Sequence, residues 1–551
     1  MSRLTSLSSR GEPFVWLTGA GLAAAVVMIV GLLVLVLING TATFWPKPII
    51  EMTLKDGTHL LGEVTRSESY LDHGQVKTRR LIRTGNYDLY GDDFRWVEDD
   101  QVVSESAPPD AWLIERREWG PAIGYPRSLL VQGTPAVEGQ VDLASEFERL
   151  HREALERSKI ISELEKGRIG TINHTIEKER LRIRKAAIEH GEGSEQHRIA
   201  ALEARRTEEA LMEDYREIKT RIDALYALED RVRLSVHEVD GRLIPERPSN
   251  PESPMRLAQV VRAYPANTLS IGQRLNIYAD RWIEFLTDEP REANTEGGVF
   301  PAIFGTLMMT ILMSLAVAPF GVIAALYLRE YARQGPLVST VRIAVNNLAG
   351  VPSIVYGVFG LGFFCYLVGG TIDSVFFEEK LPTPTFGTGG ILWASLTLAM
   401  LTVPVVIVST EEALAAVPRS MREGSFACGA SKWQTVRRIV LPRATPGIMT
   451  GLILAMARGA GEVAPLMITG VVKLAPELPF DRFFPYFHFE RSFMHLGFHI
   501  YDVGFQSRNS EAGKPMVFTT TLILIVMVML LNFSAVYLRT RLKRRFRAAH
   551  F

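Results

Sequence analysis

Six long apolar runs constrain this chain of 551 residues more than any other feature of its sequence. A helix needs about 20 apolar residues to cross roughly 30 Å of hydrocarbon, and every one of the runs reaches that length. They cover residues 15–38, 299–328, 343–368, 389–408, 448–472 and 516–538. We therefore predict a mainly α-helical, polytopic membrane protein with six transmembrane helices.

The first run is predicted to be a retained membrane anchor. Arg3 and Arg10 precede the run. Basic residues also precede the apolar region of a cleaved signal peptide, so a signal peptide is the alternative. A signal peptide would have a shorter apolar region, and Trp45 with Pro46 after the run is typical of a membrane interface. Residues 1–40 are therefore predicted to form a cytoplasmic N-terminus and the first transmembrane helix.

Basic side chains predict the orientation of the helices, because loops rich in arginine and lysine remain in the cytoplasm. These residues are Arg329, Arg333 and Arg342 after the second run, the basic residues from Arg419 to Arg443 after the fourth, and those from Arg539 to Arg547 after the sixth. Both termini are then cytoplasmic, and the protein lies in the cell (inner) membrane. Residues 41–297 are predicted to be extracytoplasmic, which means periplasmic in a Gram-negative cell.

Composition and the remaining polar residues exclude several kinds of site. Lysine plus arginine and aspartate plus glutamate both number 61, so net charge gives no reason to expect a nucleic-acid partner. The two cysteines, Cys365 and Cys428, form neither a disulfide framework nor a metal cluster. His488, His495 and His499 lie near an aromatic-rich loop, where an interfacial surface is favoured over a metal site without a third ligand. We expect no metal and no cofactor.

The hydrophilic insert between the first two runs divides into three parts. Residues 41–142 contain short alternating runs and the hairpin signal Asp56-Gly57, which predicts a small β-rich module. Residues 143–238 are rich in charged residues, alanine and leucine, which predicts an antiparallel coiled-coil hairpin. Residues 239–297 are predicted to form a linker and a lead-in helix to the membrane.

The predicted hairpin turns at residues 190–194. A single unbroken helix is the alternative, but Gly191 and Gly193 together cost a helix about 2 kcal/mol relative to alanine. Each arm then has about 45 residues and a length of about 65 Å. The apolar residues at heptad-like positions are Leu211, Tyr215, Ile218, Ile222, Leu225 and Val232.

A motif in residues 411–442, between the fourth and fifth runs, carries the clearest functional signal. Glu423 is followed six residues later by Gly429, and nine further residues lead to the run Ile439-Val440-Leu441-Pro442. The pattern resembles the EAA loop of ATP-binding-cassette (ABC) importer permeases, which reads Glu-Ala-Ala, three residues, Gly, nine residues and Ile-x-Leu-Pro. Every spacing is kept, although two other small residues replace the alanines.

This resemblance implies that residues 411–442 form a coupling loop that docks on a separate ATPase. Such a loop needs two short helices that meet at a tight turn, and Gly429 suits the turn because glycine takes positive φ without penalty. Trp433 offers an apolar anchor, and Pro442 is predicted to stop or kink the chain before the fifth transmembrane helix. The alternative is an ordinary basic cytoplasmic loop, which the complete spacing disfavours.

The fifth run contains an ionisable pair, Arg458 and Glu462, one helical turn apart. Charged groups inside a membrane cost about 2.5–3.5 kcal/mol or more each, which favours a functional role. The planar donor fork of arginine suits an oxyanion such as phosphate. We predict that Arg458 faces the substrate pathway and that Glu462 holds it when no substrate is bound. The alternative is an internal salt bridge that only reduces the cost of placing the two charges in a membrane helix.

Three motifs resemble those of the PstA and PstC phosphate permeases. Residues 458–465 are similar to Arg-x-x-Gly-Glu-Thr-Ala-Pro, with Val463 in place of threonine. Residues 297–306 are similar to Gly-Gly-Ile-Phe-Pro-Ala-Ile-x-Gly-Thr, and residues 351–357 to Val-Pro-Ser-Ile-Val-x-Gly. The insert lies outside this pattern and receives no function from it.

The resemblance implies that residues 298–551 form a type I ABC importer permease core with five transmembrane helices. It implies inorganic phosphate as the substrate. Val408 stands where PstA members often have an arginine before a Thr-Thr-Glu run, so molybdate and sulfate stay open as alternatives.

The resemblance also implies an assembly in the lipid bilayer. Its members would be a PstC-like permease subunit, two cytoplasmic PstB-like ATPase subunits and an external PstS-like phosphate-binding protein. This chain has no Gly-x-x-x-x-Gly-Lys-[Ser/Thr] loop, so we expect a non-catalytic subunit whose partner hydrolyses ATP. A membrane scaffold or sensor that uses the coiled-coil insert is the alternative function.

Overall fold

The computed structural model describes residues 12–72, 75–138, 140–291, 294–507 and 510–548. Among these residues, six helices are long and apolar enough to cross a membrane, which confirms the predicted mainly helical, polytopic architecture. They are Trp16–Ala42, Phe300–Tyr331, Ser353–Phe376, Ile391–Ala415, Lys432–Gly461 and Glu511–Arg541. The first belongs to helix α1 (Glu12–Ala42), and Arg3 and Arg10, which precede it, lie outside the described residues.

The insert begins with a five-stranded antiparallel sheet, as the predicted β-rich module requires. Its strands are β1 (Ile49–Leu54), β2 (His59–Asp72), β3 (Gln75–Arg83), β4 (Phe94–Glu98) and β5 (Val102–Ser106), with the one-turn helix α2 (Tyr87–Tyr90) before β4. The spatial order is β4-β3-β2-β1-β5. The Asp56-Gly57 turn joins β1 to β2, with Gly57 at φ 82° and the Asp56 carboxylate accepting from the Thr58 amide at 2.8 Å.

A second, six-stranded sheet extends beyond the predicted β module. Its strands are β6 (Trp112–Arg116), β7 (Ala122–Val131), β8 (Thr134–Glu138), β9 (Val232–His237), β10 (Met255–Arg256) and β11 (Val260–Pro265). The boundary of the helical hairpin at residue 238 is therefore wrong, because β9 alternates and buries most of its side chains. Val232 belongs to this strand and not to a heptad. Part of the predicted linker, 239–297, also contributes strands.

Three helices connect β8 to β9. They are α3 (Gln140–Ser162), α4 (Gly170–His190) and α5 (Glu195–Glu229), and a π-helical segment, Glu163–Ile169, joins the first two. Residues 191–194 turn the chain between α4 and α5, and the Ser194 hydroxyl caps α5 by accepting from the His197 amide. The single unbroken helix is thus excluded. Helices α4 and α5 pack on each other, and their coiled-coil geometry stays a prediction.

Helix α6 (Ile271–Thr287) leads from the insert to the membrane region, as predicted. It begins with a capping box formed by Ser270 and Gln273. Its buried Phe285 packs against Phe44, just after α1. The short strands β12 (Pro290–Arg291) and β13 (Glu296–Gly297) follow and bring the chain to the second transmembrane helix.

The membrane region contains the remaining helices. They are α7 (Phe300–Leu326), α8 (Pro336–Leu348), α9 (Ser353–Phe359), α10 (Gly370–Phe376), α11 (Ile391–Ala415), α12 (Arg419–Ala427), α13 (Lys432–Thr435), α14 (Leu441–Gly461), α15 (Ala464–Thr469), α16 (Leu496–Tyr501) and α17 (Ser510–Ala548). The apolar run 343–368 is divided by residues 349–352, because Pro352 cannot continue a helix, and the third transmembrane helix begins at Ser353.

Arg281 of α6 fastens the insert to the end of α1. Its guanidinium donates to the Phe44 carbonyl at 2.9 Å, to the Glu115 carboxylate at 2.8 Å and to the Tyr264 hydroxyl at 2.6 Å. Burial raises the pKa of Glu115, but Arg281 and Arg262 lower it further, to about 2. Because folding lowers this pKa, the ionised carboxylate stabilises the insert fully above its ordinary pKa of 4.5, and that contribution declines as the pH falls from there through about 2.

We expect Arg281→Met to destabilise the insert by about 3–5 kcal/mol, because the substitution leaves the buried Glu115 carboxylate without its main partner. Pulse proteolysis of the purified full chain in urea measures this change. Arg281→Met combined with Glu115→Gln should recover part of the loss. Arg152→Met, at a side chain 71% exposed, is the matched control and should change nothing. Equal effects of Arg281→Met and Arg152→Met would contradict the bridging role.

Candidate functional site

Residues 411–442 form two helices that meet at a tight turn. Helix α12 ends at Ala427, and Gly429 adopts φ 80°, a conformation that other residues enter at a cost of about 1–2 kcal/mol. Ser431 and Gln434 form a capping box that starts α13. The turn that Gly429 was predicted to make is therefore present.

Arg422 attaches α12 to the rest of the membrane region. Its guanidinium donates to the Leu414 carbonyl at 2.8 Å, to the Val417 carbonyl at 2.7 Å and to the Glu330 carboxylate at 2.9 Å. Glu330 lies in the π-helical segment Tyr327–Tyr331 that ends the second transmembrane helix. Sequence reasoning missed this pair, because its two members are 92 residues apart and neither occupies a defining position of a motif.

The surface of this segment is partly apolar. Trp433 is 55% exposed and Phe426 is 47% exposed, while Glu423 is exposed beside them in the sequence. Exposed aromatic side chains on a basic loop are suited to a protein partner. Thr435 and Val436 are buried, so one side of the helix rests on the membrane region and the other side is open.

Ile439, Leu441 and Pro442 are half-buried at the point where this segment joins the fifth transmembrane helix. The helical backbone does not stop at Pro442, since Lys432–Gly461 is one helix. The π-helical segment Val436–Val440 precedes the proline and accommodates its missing amide donor.

Arg458 and Glu462 are in contact, with 3.5 Å between Nε and Oε1. They do not share a helical face, because α14 ends at Gly461 and Glu462 is extended at ψ 135°. The predicted run 448–472 is thus divided, and α15 begins at Ala464. The side chain of Arg458 is 38% exposed and that of Glu462 is 22% exposed, so neither is fully buried.

Two of the sequence motifs meet beside this pair. Gly357 packs on Pro465 so closely that a Cβ atom at Gly357 would lie 2.7 Å from the Pro465 Cα. A Cβ atom at Gly497 of α16 would likewise lie 2.6 Å from the Val463 Cγ2. Small residues therefore allow α9 and α16 to approach the break at residues 462–463. Discontinuous helices of this kind often line substrate sites in transporters.

The environment of Val408 includes an arginine from a different helix. A cavity of about 210 Å³ is lined by Val408, Arg342, Glu411 and neighbouring residues. The Arg342 Nε lies 3.2 Å from the Glu411 carboxylate. A guanidinium is thus present near position 408, although it comes from α8.

The three histidines do not form a metal site. His488 lies 3.1 Å from Asp481 and 3.2 Å from Glu490, while His495 and His499 are buried elsewhere. Among the residues that the structure describes, no three metal-binding side chains of the histidine, cysteine, aspartate and glutamate types meet.

A family model described as "Binding-protein-dependent transport system inner membrane component" matches residues 317–548. The "Probable ABC transporter permease protein YqgH" of Bacillus subtilis (strain 168) is 36% identical over 204 residues, 36% of this chain and 62% of that protein. The "Phosphate transport system permease protein PstA" of Mycobacterium leprae (strain TN) is 36% identical over 218 residues, 39% and 65% of the two chains. The chain thus spans less than two thirds of these two relatives.

A third relative is matched over more of its length. The "Phosphate transport system permease protein PstA 1" of Mycobacterium tuberculosis (strain CDC 1551 / Oshkosh) is 33% identical over 250 residues, which are 45% of this chain and 73% of that protein. Among solved structures, an inward-facing MetNI methionine ABC transporter is similar, with 21% identity, a TM-score of 0.33 and coverage of 44% of this chain and 94% of that chain.

We expect Gly429→Val to open the turn, because a β-branched residue is strained at φ 80°. The amides of residues 428–430 donate to the carbonyls of residues 424–426, and hydrogen exchange should be at least tenfold faster at these amides in the variant. Gly424→Ala, at a helical position with open space around it, is the control and should slow exchange or leave it unchanged. Unchanged exchange in Gly429→Val would contradict the turn.

Proposed function

The chain belongs to the PstA-type permeases of the binding-protein-dependent transport system inner membrane component family, and from this premise we propose that it is the permease subunit of an ABC importer for inorganic phosphate. It forms half of the translocation pathway. The observation that carries the proposal is the coupling segment, residues 411–442, whose turn and exposed Trp433 suit a separate ATPase.

The coupling segment receives the motion of two cytoplasmic PstB-like ATPase subunits, one of which contacts this chain. Glu423, Gly429 and Trp433 face the ATPase, while Ile439, Leu441 and Pro442 connect the segment to the fifth transmembrane helix. Arg422 supports this role, because it links α12 to the end of α11 and to Glu330 at the end of the second transmembrane helix. ATP hydrolysis takes place in the partner, and this chain is non-catalytic.

The other half of the pathway is a PstC-like permease subunit, and a PstS-like protein delivers phosphate from outside. Arg458 contacts the anion in the pathway, and Glu462 holds its guanidinium when the pathway is empty. The 3.5 Å contact and the partial exposure of both side chains support this assignment. A substrate can drive the cycle only if its affinity differs between inward-open and outward-open states, so the exposure of Arg458 must differ between them.

Phosphate is favoured over molybdate and sulfate by the names of the relatives, two of which are phosphate transport system permeases. Arg342 supports the same substrate, because it supplies a guanidinium next to Val408, where the family often has an arginine. Its pairing with Glu411 keeps that charge in place.

Both termini are cytoplasmic in this proposal, and residues 41–297 are extracytoplasmic. The helix pair α4–α5 is then an accessory structure over the external face of the permease. The ring of His174 in α4 stacks on Phe483 with centroids 4.2 Å apart. This contact supports a position close to the external loops, where a binding protein delivers its cargo.

Cross-linking tests the coupling segment. In a chain with Cys365→Ala and Cys428→Ser, we expect Trp433→Cys labelled with a maleimide–benzophenone reagent to give a photo-adduct with the ATPase in native membranes, because the side chain at 433 is 55% exposed on the proposed interface. The maleimide bonds the introduced thiol, and the excited benzophenone inserts into a C–H bond of the neighbouring protein, so the ATPase needs no cysteine. Glu118→Cys, exposed on the insert, is the matched control and should give no such adduct. Equal capture by both cysteines, or no capture by position 433, would remove the basis of the proposal.

Uptake measurements test the substrate pathway. We expect Arg458→Gln to lower phosphate uptake about tenfold or more, because a hydrogen bond to a charged group contributes about 1.5–3 kcal/mol. The ATPase should still copurify with the variant. Arg333→Gln, at an exposed loop residue, is the control and should transport normally. Competition by unlabelled phosphate, sulfate and molybdate identifies the oxyanion. Undiminished uptake by Arg458→Gln would assign the pair a purely structural role.

A further inference from the structure

A cavity of about 160 Å³ lies where the insert meets the membrane region. Its walls come from the residues that follow α1, from both sheets of the insert, from α6 and from the start of α17. The cavity is therefore lined both by charged side chains of the insert and by apolar side chains at the ends of two transmembrane helices.

Most charges on its walls are paired with each other. Arg83 lies 2.9 Å from Glu296, Arg281 bonds Glu115, and Arg291 bonds Glu284. These arginines therefore have little capacity for a further anion.

Lys47 and Glu63 are different. Both line the cavity, and among the described residues neither has a hydrogen-bond or ion-pair partner for its side chain. Glu63 is only 8% exposed. Burial raises the pKa of Glu63, although Arg83, Arg281 and Lys47 oppose the shift. Burial lowers the pKa of Lys47, although Glu63 opposes that shift. The two groups attract each other without forming an ion pair, so a buried carboxyl group and a half-buried amine carry a cost that a bound ligand of complementary charge would remove.

The apolar part of the wall places the cavity at a membrane surface. Phe44 and Trp45 directly follow the first transmembrane helix, and Pro515 and Met516 lie at the beginning of the last one. Aromatic residues of this kind occupy the level of the lipid headgroups. Helix α1 is largely exposed along its length, so lipid can reach this corner of the protein.

We propose that this cavity binds the headgroup of a zwitterionic phospholipid with a primary ammonium group, such as phosphatidylethanolamine. The Lys47 ammonium binds the lipid phosphate, and the Glu63 carboxylate binds the lipid ammonium. The acyl chains leave past Phe44 and Met516 towards the membrane. This site is separate from the proposed phosphate pathway and does not depend on transport.

The charges on the wall discriminate between possible ligands. Inorganic phosphate would meet five glutamates, at positions 63, 115, 284, 296 and 511, with Lys47 as its one unpaired cation among the described wall residues. An anionic lipid such as phosphatidylglycerol could use Lys47 but would leave Glu63 without a partner. A zwitterion satisfies both groups, because its phosphate and ammonium are joined by a short linker.

Native mass spectrometry of the full chain tests the site. We expect one molecule of phosphatidylethanolamine to remain bound, with about tenfold preference over phosphatidylglycerol, equivalent to about 1.4 kcal/mol. Glu63→Gln should abolish this preference and keep weak binding of both lipids. Lys47→Met should lose both lipids. Glu63→Gln should fold normally, since the substitution removes a buried charge without changing the shape of the side chain.

The matched controls are Glu118→Gln and Lys55→Met, at exposed positions of the insert, and both should bind phosphatidylethanolamine as the unmodified chain does. Inorganic phosphate is added in a separate arm and should not displace the lipid. Equal binding of the two lipids by the unmodified chain, an unchanged preference in Glu63→Gln, or displacement by inorganic phosphate would each overturn the proposal.

Discussion

The hydrocarbon interior of a membrane offers no hydrogen-bond partner to a peptide group. A chain that crosses it six times must therefore bond its backbone internally wherever a helix is interrupted. At the break at residues 349–352 the Tyr356 hydroxyl donates to the Leu348 carbonyl at 2.8 Å. At the break at residues 462–463 the amide of Glu462 bonds the Gly459 carbonyl, and that of Leu466 bonds the Val463 carbonyl. The break at residues 462–463 is half-buried beside Gly497, whereas most of residues 349–352 are exposed. The bonds within the chain therefore satisfy the irregular backbone at both places.

The same constraint explains the form of the coupling segment. In the proposed function this segment receives force from a soluble partner. It must therefore leave the membrane and still be firmly attached to the transmembrane helices. Arg422 achieves this with three bonds to groups at the ends of two transmembrane helices. On the membrane side, the helix from Lys432 continues into the fifth transmembrane helix without interruption up to Gly461. In the proposed mechanism, a displacement of Trp433 therefore reaches Arg458 along one helix.

Sequence patterns predicted the parts of this structure that depend on local chemistry. Apolar length predicted six membrane helices, Asp56-Gly57 predicted a hairpin, and Gly429 predicted the tight turn. Patterns failed where distant residues decide the outcome. Strand β9 was assigned to a helical hairpin, because its place in a sheet depends on pairing with β7, about 100 residues earlier. The Arg422–Glu330 pair had no local signal for the same reason.

The attachment of the insert limits how the protein can move. Arg281 holds the insert to the residues that follow α1, and the stacking of His174 on Phe483 holds α4 to the loop after α15. The insert thus contacts the rest of the protein at two places, one next to α1 and one at the loop after α15. Any opening of the external side must then either break the stacking at His174 or carry the insert along with the loop that contains Phe483. In the proposed transport cycle, the insert therefore adds a load to the outward-open step.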